Sequence, residues 1–113
     1  MTRLTVAVAV AVLALAFTAC AGGGGGGDPI ATHEIAMARS YRFAPVTATV
    51  AAGTTVTWTN EDNFTHNVRI DDDIVGEAAP GDTVTHEFAE AGTFAYDCSL
   101  HPQDMTGTVV VTG

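Results

Sequence analysis

Tyr96-Asp97-Cys98-Ser99-Leu100-His101-Pro102-Gln103-Asp104-Met105-Thr106-Gly107 sets a thiol, an imidazole and a thioether in one short stretch. Thiolate and thioether suit soft copper, and imidazole serves copper in either oxidation state. An ion that must rest as both Cu(I) and Cu(II) needs a compromise donor set of one Cys, two His and a weak axial Met. Cys98, His101 and Met105 supply three of those four. The other must be brought in by folding, and His66, in Asn63-Phe64-Thr65-His66-Asn67-Val68, is the candidate. Met105 has an alternative role as plain core at the start of a last strand. In that case Asp104 or Gln103 offers the axial oxygen.

Working outward, the flanking chain reads as short strands rich in Val and Thr, punctuated by Gly and Pro. Phe94, Tyr96 and Cys98 share one parity, so the thiol points inward while Asp97 points out. His66 shares a parity with Val68 and Ile70, which turns its ring to the core and leaves Asn67 outward. Ile35, Met37, Tyr41 and Phe43 read as one strand with an irregularity near Arg39. Val46, Ala48 and Val50 form a second, and Val56 and Trp58 a third. Glu61-Asp62-Asn63 is a polar loop, Asp71-Asp72-Asp73 a solvated tip, and Pro80-Gly81 and Ala91-Gly92 are turns. Val84, His86 and Phe88 alternate in a further strand, and Val109 and Val111 close the core. Seven to eight strands with inward Trp58, Phe88, Phe94 and Tyr96 predict an all-β sandwich. His33 and His86 fall outside the donor set.

Gly53-Thr54-Thr55-Val56-Thr57-Trp58-Thr59-Asn60, the His66-Asn67 pair, and Cys98-Ser99-Leu100-His101 with Met105 together resemble the cupredoxins, the small blue copper proteins. Within them the resemblance is to the plastocyanin, amicyanin and halocyanin group, and it runs from Ile35 to Val111. It implies a Greek-key arrangement of two sheets, with His66 and the Cys98–Met105 loop meeting at one end around one type 1 copper. It implies a clip across that site between Asn67 and Ser99, and His101 as the ligand edge turned toward partners. Three residues separate His101 from Met105, against two in amicyanin-like and four in plastocyanin-like proteins. Thr65 and Leu100 stand where plastocyanins often carry Pro.

The ends of the chain read differently. Residues 4–19 form an apolar run behind a single Arg3, shorter than the roughly 20 residues of a membrane span. Its length fits the apolar part of a secretory signal. Phe17-Thr18-Ala19-Cys20 resembles a bacterial lipobox, which makes Cys20 the lipidated first residue of the mature chain; an ordinary cleaved signal or an uncleaved anchor are the alternatives. The expected division is a signal at 1–19, a lipidated Cys and glycine-rich tether at 20–32, and a copper domain at 33–113. Cys20 and Cys98 then have separate roles and form no disulfide.

Residues 20–113 hold three arginines against all 13 acidic residues, a formal charge of −10, with no lysine. That balance excludes nucleic acid and anionic membrane surfaces as electrostatic partners. It fits either solubility or attraction of a cationic protein. A filled four-ligand site has no open position for substrate, so the expectation is an electron carrier and not an enzyme. Its partners would be redox proteins, such as a basic cytochrome, an oxidase or a reductase. The carrier would be a monomer, lipid-anchored outside the cytoplasm. A copper storage or delivery module is the alternative, though such sites favour clusters of Met, and only Met105 lies in the motif.

Overall fold

The computed structural model describes residues 28–113, which fold into ten strands. They are β1 (Ile30–Ala31), β2 (Glu34–Ala38), β3 (Arg42–Ala44), β4 (Thr47–Ala51), β5 (Thr54–Asn60), β6 (His66–Ile70), β7 (Asp73–Ala78), β8 (Thr83–Phe88), β9 (Gly92–Asp97) and β10 (Thr106–Thr112). Two sheets form, one of six strands in the order β1-β4-β10-β9-β6-β7 and one of four in the order β3-β2-β5-β8. The expected all-β sandwich is what the chain builds. Among the described residues no helix is long and apolar enough to cross a membrane. The segment read as a signal, Cys20 and the glycine run lie outside the described residues. Ile30–Ala31, within the segment read as tether, pair in parallel with β4.

Inward residues of both sheets meet in one core that includes Ile35, Met37, Phe43, Val56, Trp58, Val68, Tyr96 and Val109. Burying each such side chain contributes about 1.5–3 kcal/mol, and the aromatic members interlock. Tyr96 meets Trp58 edge-on at 5.4 Å and Phe43 at 4.7 Å between ring centroids. Gly107 stands opposite Tyr96 in the β9–β10 ladder, and a Cβ there would collide with the Tyr96 ring. The Tyr96 hydroxyl and Trp58 Nε1 are both buried without a hydrogen-bond partner of acceptable geometry. Burial pushes the Tyr96 phenol well above its ordinary pKa, and the nearby indole offsets this only in part.

Three local expectations are corrected. The segment read as one strand from Ile35 to Phe43 is a hairpin of β2 and β3, paired antiparallel. Its turn runs through Ser40 and Tyr41, both at positive φ (71° and 55°), a conformation that their side chains do not advertise. β7 is an added strand: Asp-Ile-Val-Gly-Glu-Ala lacks alternation, and a shift of register between Val68 and Arg69 lets it pair with β6. Asn67, expected outward, is buried. β9 pairs with β6 only at Arg69 and Ile70. Beyond that point the chain after Cys98 folds over Asn67 and covers the face that parity would leave open.

Candidate metal centre

Strand registers bring the motif residues together at one end of the sandwich. The β9–β10 ladder pairs Asp97 with Thr106. One step further it sets Cys98 opposite Met105, and the Cys98 N–H donates to the Met105 carbonyl at 3.0 Å. Residues 99–104 are thereby pinched into a closed loop. Inside it the His101 N–H donates to the Cys98 carbonyl at 3.1 Å, and the His101 carbonyl accepts from Met105 N–H at 3.0 Å. Cys98 and Met105 are fully buried, and His101 is half-buried at the surface end.

The β6–β9 ladder does the same for His66. Arg69 faces Asp97, so two residues back Asn67 faces Ser99. Regular pairing has stopped there, and side chains continue it. Ser99 N–H donates to Asn67 Oδ1 at 2.8 Å, and Asn67 Nδ2 donates to Ser99 Oγ at 2.6 Å. The Asn67 backbone N–H points at Cys98 Sγ, 3.4 Å away. Two hydrogen bonds thus clip Asn67 to Ser99.

His66 is fully buried with its Nδ1 3.8 Å from Cys98 Sγ. Its other nitrogen, Nε2, lies 2.8 Å from Asp62 Oδ2. A carboxylate there favours the tautomer with its proton on Nε2, the one that would turn the Nδ1 lone pair toward the thiol. Asp62 was expected to be an exposed loop acid, yet only 7% of its surface is exposed. It is placed by Asn60, whose Oδ1 accepts the Asp62 N–H at 2.9 Å. Asn60 Nδ2 also donates to the carbonyls of Phe64 and Ala78, which fixes the whole 60–66 turn. The hydrogen bond from His66 is the main reason that the Asp62 carboxyl sits below its ordinary pKa, opposed by burial. Sequence reasoning missed this residue as part of the site. The available signal was its spacing of four before His66, behind an Asn able to turn it inward.

Donor pairs meet here, but no three His, Cys, Asp or Glu side chains among the described residues close into a metal-binding cluster. The His66 and His101 rings lie 5.7 Å apart between centroids. The 3.8 Å between Cys98 Sγ and His66 Nδ1 can be spanned through one ion by bonds of about 2.3 and 2.0 Å. A thiol, two imidazoles and a buried thioether at one end of the fold fit a soft, redox-active metal. His33 and His86 stand apart, the latter on β8 packed edge-on against Phe88 at 4.9 Å.

Around the mouth, Phe64 and Leu100 are 55% and 52% exposed. Glu61 and Asp104 are exposed as well. Asp97 is not free: Arg69 holds it in a two-pronged ion pair at 2.8 and 2.7 Å. That pairing also raises the Arg69 guanidinium above its ordinary pKa.

An all-β sandwich with Cys, His and Met donors gathered between two strand ends defines a small soft-metal protein of the copper-binding class. The chain belongs to the plastocyanin/azurin family of copper-binding proteins, whose pattern matches residues 31–112. It is 37% identical over 83 residues to the chloroplastic plastocyanin of Tetradesmus obliquus, covering 61% of this chain and 57% of that protein. It is 44% identical over 69 residues to the amicyanin of Paracoccus denitrificans, covering 55% of this chain and 52% of that one. The chain therefore spans little more than half the length of these two relatives. Among solved structures, a purple cupredoxin from Nitrosopumilus maritimus superimposes with a TM-score of 0.63 at 30% identity, covering 70% of this chain and 98% of the other.

Proposed function

We propose that this protein is a one-electron carrier whose single type 1 copper is held by His66, Cys98, His101 and Met105. The observation that carries the reading is the pair of fully buried donors, Cys98 Sγ and His66 Nδ1, facing each other 3.8 Å apart. Copper bound there would supply the Cu(I)/Cu(II) couple. The protein supplies rigidity. The Asn67–Ser99 bonds and the Cys98–Met105 closure fix the thiol, and Asp62 fixes the imidazole. Donors held so firmly move little between charge states, which favours rapid electron exchange. Burial of Cys98 and Met105 leaves His101, half-buried at the rim, as the outlet. Phe64, Leu100 and Pro102 offer an apolar surface around it for brief docking with a redox partner.

We infer further that the carrier works outside the cytoplasm as a monomer, anchored by lipid on Cys20 through the glycine-rich tether. The apolar run before Phe17-Thr18-Ala19-Cys20 supports this, and the −10 balance of residues 20–113 supports a cationic redox partner.

Titration of the metal-free protein with Cu(II) tests the proposal. A strong blue absorption from thiolate-to-copper charge transfer is expected at one copper per chain. A colourless Cu(I) or zinc complex would sink the carrier and favour storage or delivery.

A further inference from the structure

The two imidazoles proposed as ligands are held by different means. His66 is fixed by Asp62 through a hydrogen bond. His101 is met by an aromatic ring from the opposite sheet. Tyr41, at the tip of the β2–β3 hairpin, lies with its centroid 4.2 Å from that of His101, the planes tilted by 44°. The same ring stands edge-on to His66 at 6.0 Å and stacks on Phe64 at 5.9 Å. Tyr41 therefore touches both imidazoles and the exposed rim at once.

The hairpin reaches this arrangement against its backbone preferences. Ser40 and Tyr41 both adopt left-handed φ, which glycine takes freely and which side chains with a Cβ resist. The exposed Asp71 and Asp72 in the β6–β7 turn do the same (49° and 67°), as tight hairpin turns commonly require, and what is particular to the β2–β3 turn is the ring it carries. Arg42 Nε closes the turn onto the Arg39 carbonyl at 3.3 Å. What the turn achieves is delivery of one ring.

We propose that Tyr41 is a positioning residue for His101: its ring supports the imidazole face and holds the exposed ligand in place before and during metal binding. Geometry within 6 Å of both imidazoles makes it the aromatic counterpart of the Asp62 contact. The inference rests on His101 being a copper ligand, so its test separates the two questions.

Ring protons of His101 in the metal-free protein should carry an upfield ring-current shift. Tyr41→Phe should keep it; Tyr41→Ala and Tyr41→Leu should lose it. Tyr41→Leu retains apolar cover without a π face, and so remains informative should the alanine variant fold poorly. Copper release to a chelator should quicken by about two- to tenfold in the Ala and Leu variants and be unchanged in Tyr41→Phe, on the scale of one aromatic pair. A wild type that takes up no copper would sink the ligand assignment. A wild type that binds copper, with Ala and Leu variants matching it in shift and release, would sink only the Tyr41 proposal.

Discussion

His66 and His101 lie 5.7 Å apart yet belong to different kinds of structure. His66 opens β6, is fully buried, and has one nitrogen on Asp62 and the other facing Cys98. His101 sits on a loop, half-buried, and leans on Tyr41. Cys98 and Met105 side with His66, because strand registers continue through them into the loop. One side of the site is thus an extension of the core and shares its close packing. The other is a surface that happens to carry a donor. The division would suit the proposed carrier: the buried side chains would hold a metal still, and His101 would communicate with the outside. Changes on the core side should alter colour, stability and potential. Changes on the rim should alter rates of exchange with a partner.

The largest expected effect lies on the core side. Cys98→Ser should abolish the blue absorption entirely. The metal-free domain should stay folded, since the substitution keeps the backbone bond to Met105 and removes little volume. Far-UV circular dichroism of the variant checks the second point, and an intact blue band would overturn the thiolate assignment.

Asp62 offers the next effect. Asp62→Ala leaves His66 Nε2 buried without its partner, at a cost of about 1–3 kcal/mol. In a domain of this size that lowers the melting temperature by several degrees, on the order of 4–8 °C per kcal/mol. The acid dependence has a definite sign. Folding lowers the Asp62 pKa, so the carboxylate stabilises the metal-free protein above its unfolded value of about 3.9. That contribution is lost as pH falls through the folded value. Asp62→Asn should flatten this part of the curve. Urea unfolding at several pH values below 5 checks it, and wild-type and variant curves running parallel there would remove Asp62 from the site's support.

Met105 tests whether the core side includes an axial donor. Met105→Leu nearly conserves volume, so stability should fall by less than about 1.5 kcal/mol. Because a thioether is a weak donor to Cu(II), the leucine should raise the reduction potential and Met105→Gln should lower it. Potentials unchanged in both variants would make Met105 core alone.

Much of this division was legible before any coordinates. Period-two parity turned His66, Val68, Tyr96 and Cys98 inward correctly, because each lies within or beside a regular strand. Loop spacing leaves the place of Met105 open, and ladder register sets it, buried, opposite Cys98, where either an axial donor or plain core would stand. Parity misjudged Asn67, because the rule presumes one open face and the chain after Cys98 covers it. Asp62 was misjudged for a related reason. An acid in a polar run reads as solvated, and nothing local reports that Asn60 turns the run into the fold. The β2–β3 turn was hidden because Ser and Tyr occupy positions where Gly or Asn would have marked it.

The smallest effect concerns the rim, and Asp62 changes how it is tested. Of the four acids that flank the donor segments in sequence, Asp62 is buried on His66 and Asp97 is held by Arg69. Glu61 and Asp104 are exposed and free to act at a distance. Exposed charges attract over about a Debye length, roughly 8–10 Å at ordinary salt, so a cationic partner would feel these two as it nears the Phe64–Leu100 surface. Its second-order electron-transfer rate should fall as salt rises. Glu61→Gln with Asp104→Asn should flatten that dependence and leave potential and colour alone. The same neutralisation at Asp71 and Asp72, in the turn at the far end of β6, should flatten it less. Stopped-flow rates against a basic cytochrome across ionic strength decide it. Equal sensitivity to both pairs would mean that the acidity serves solubility over the whole surface, and that docking at the rim is apolar.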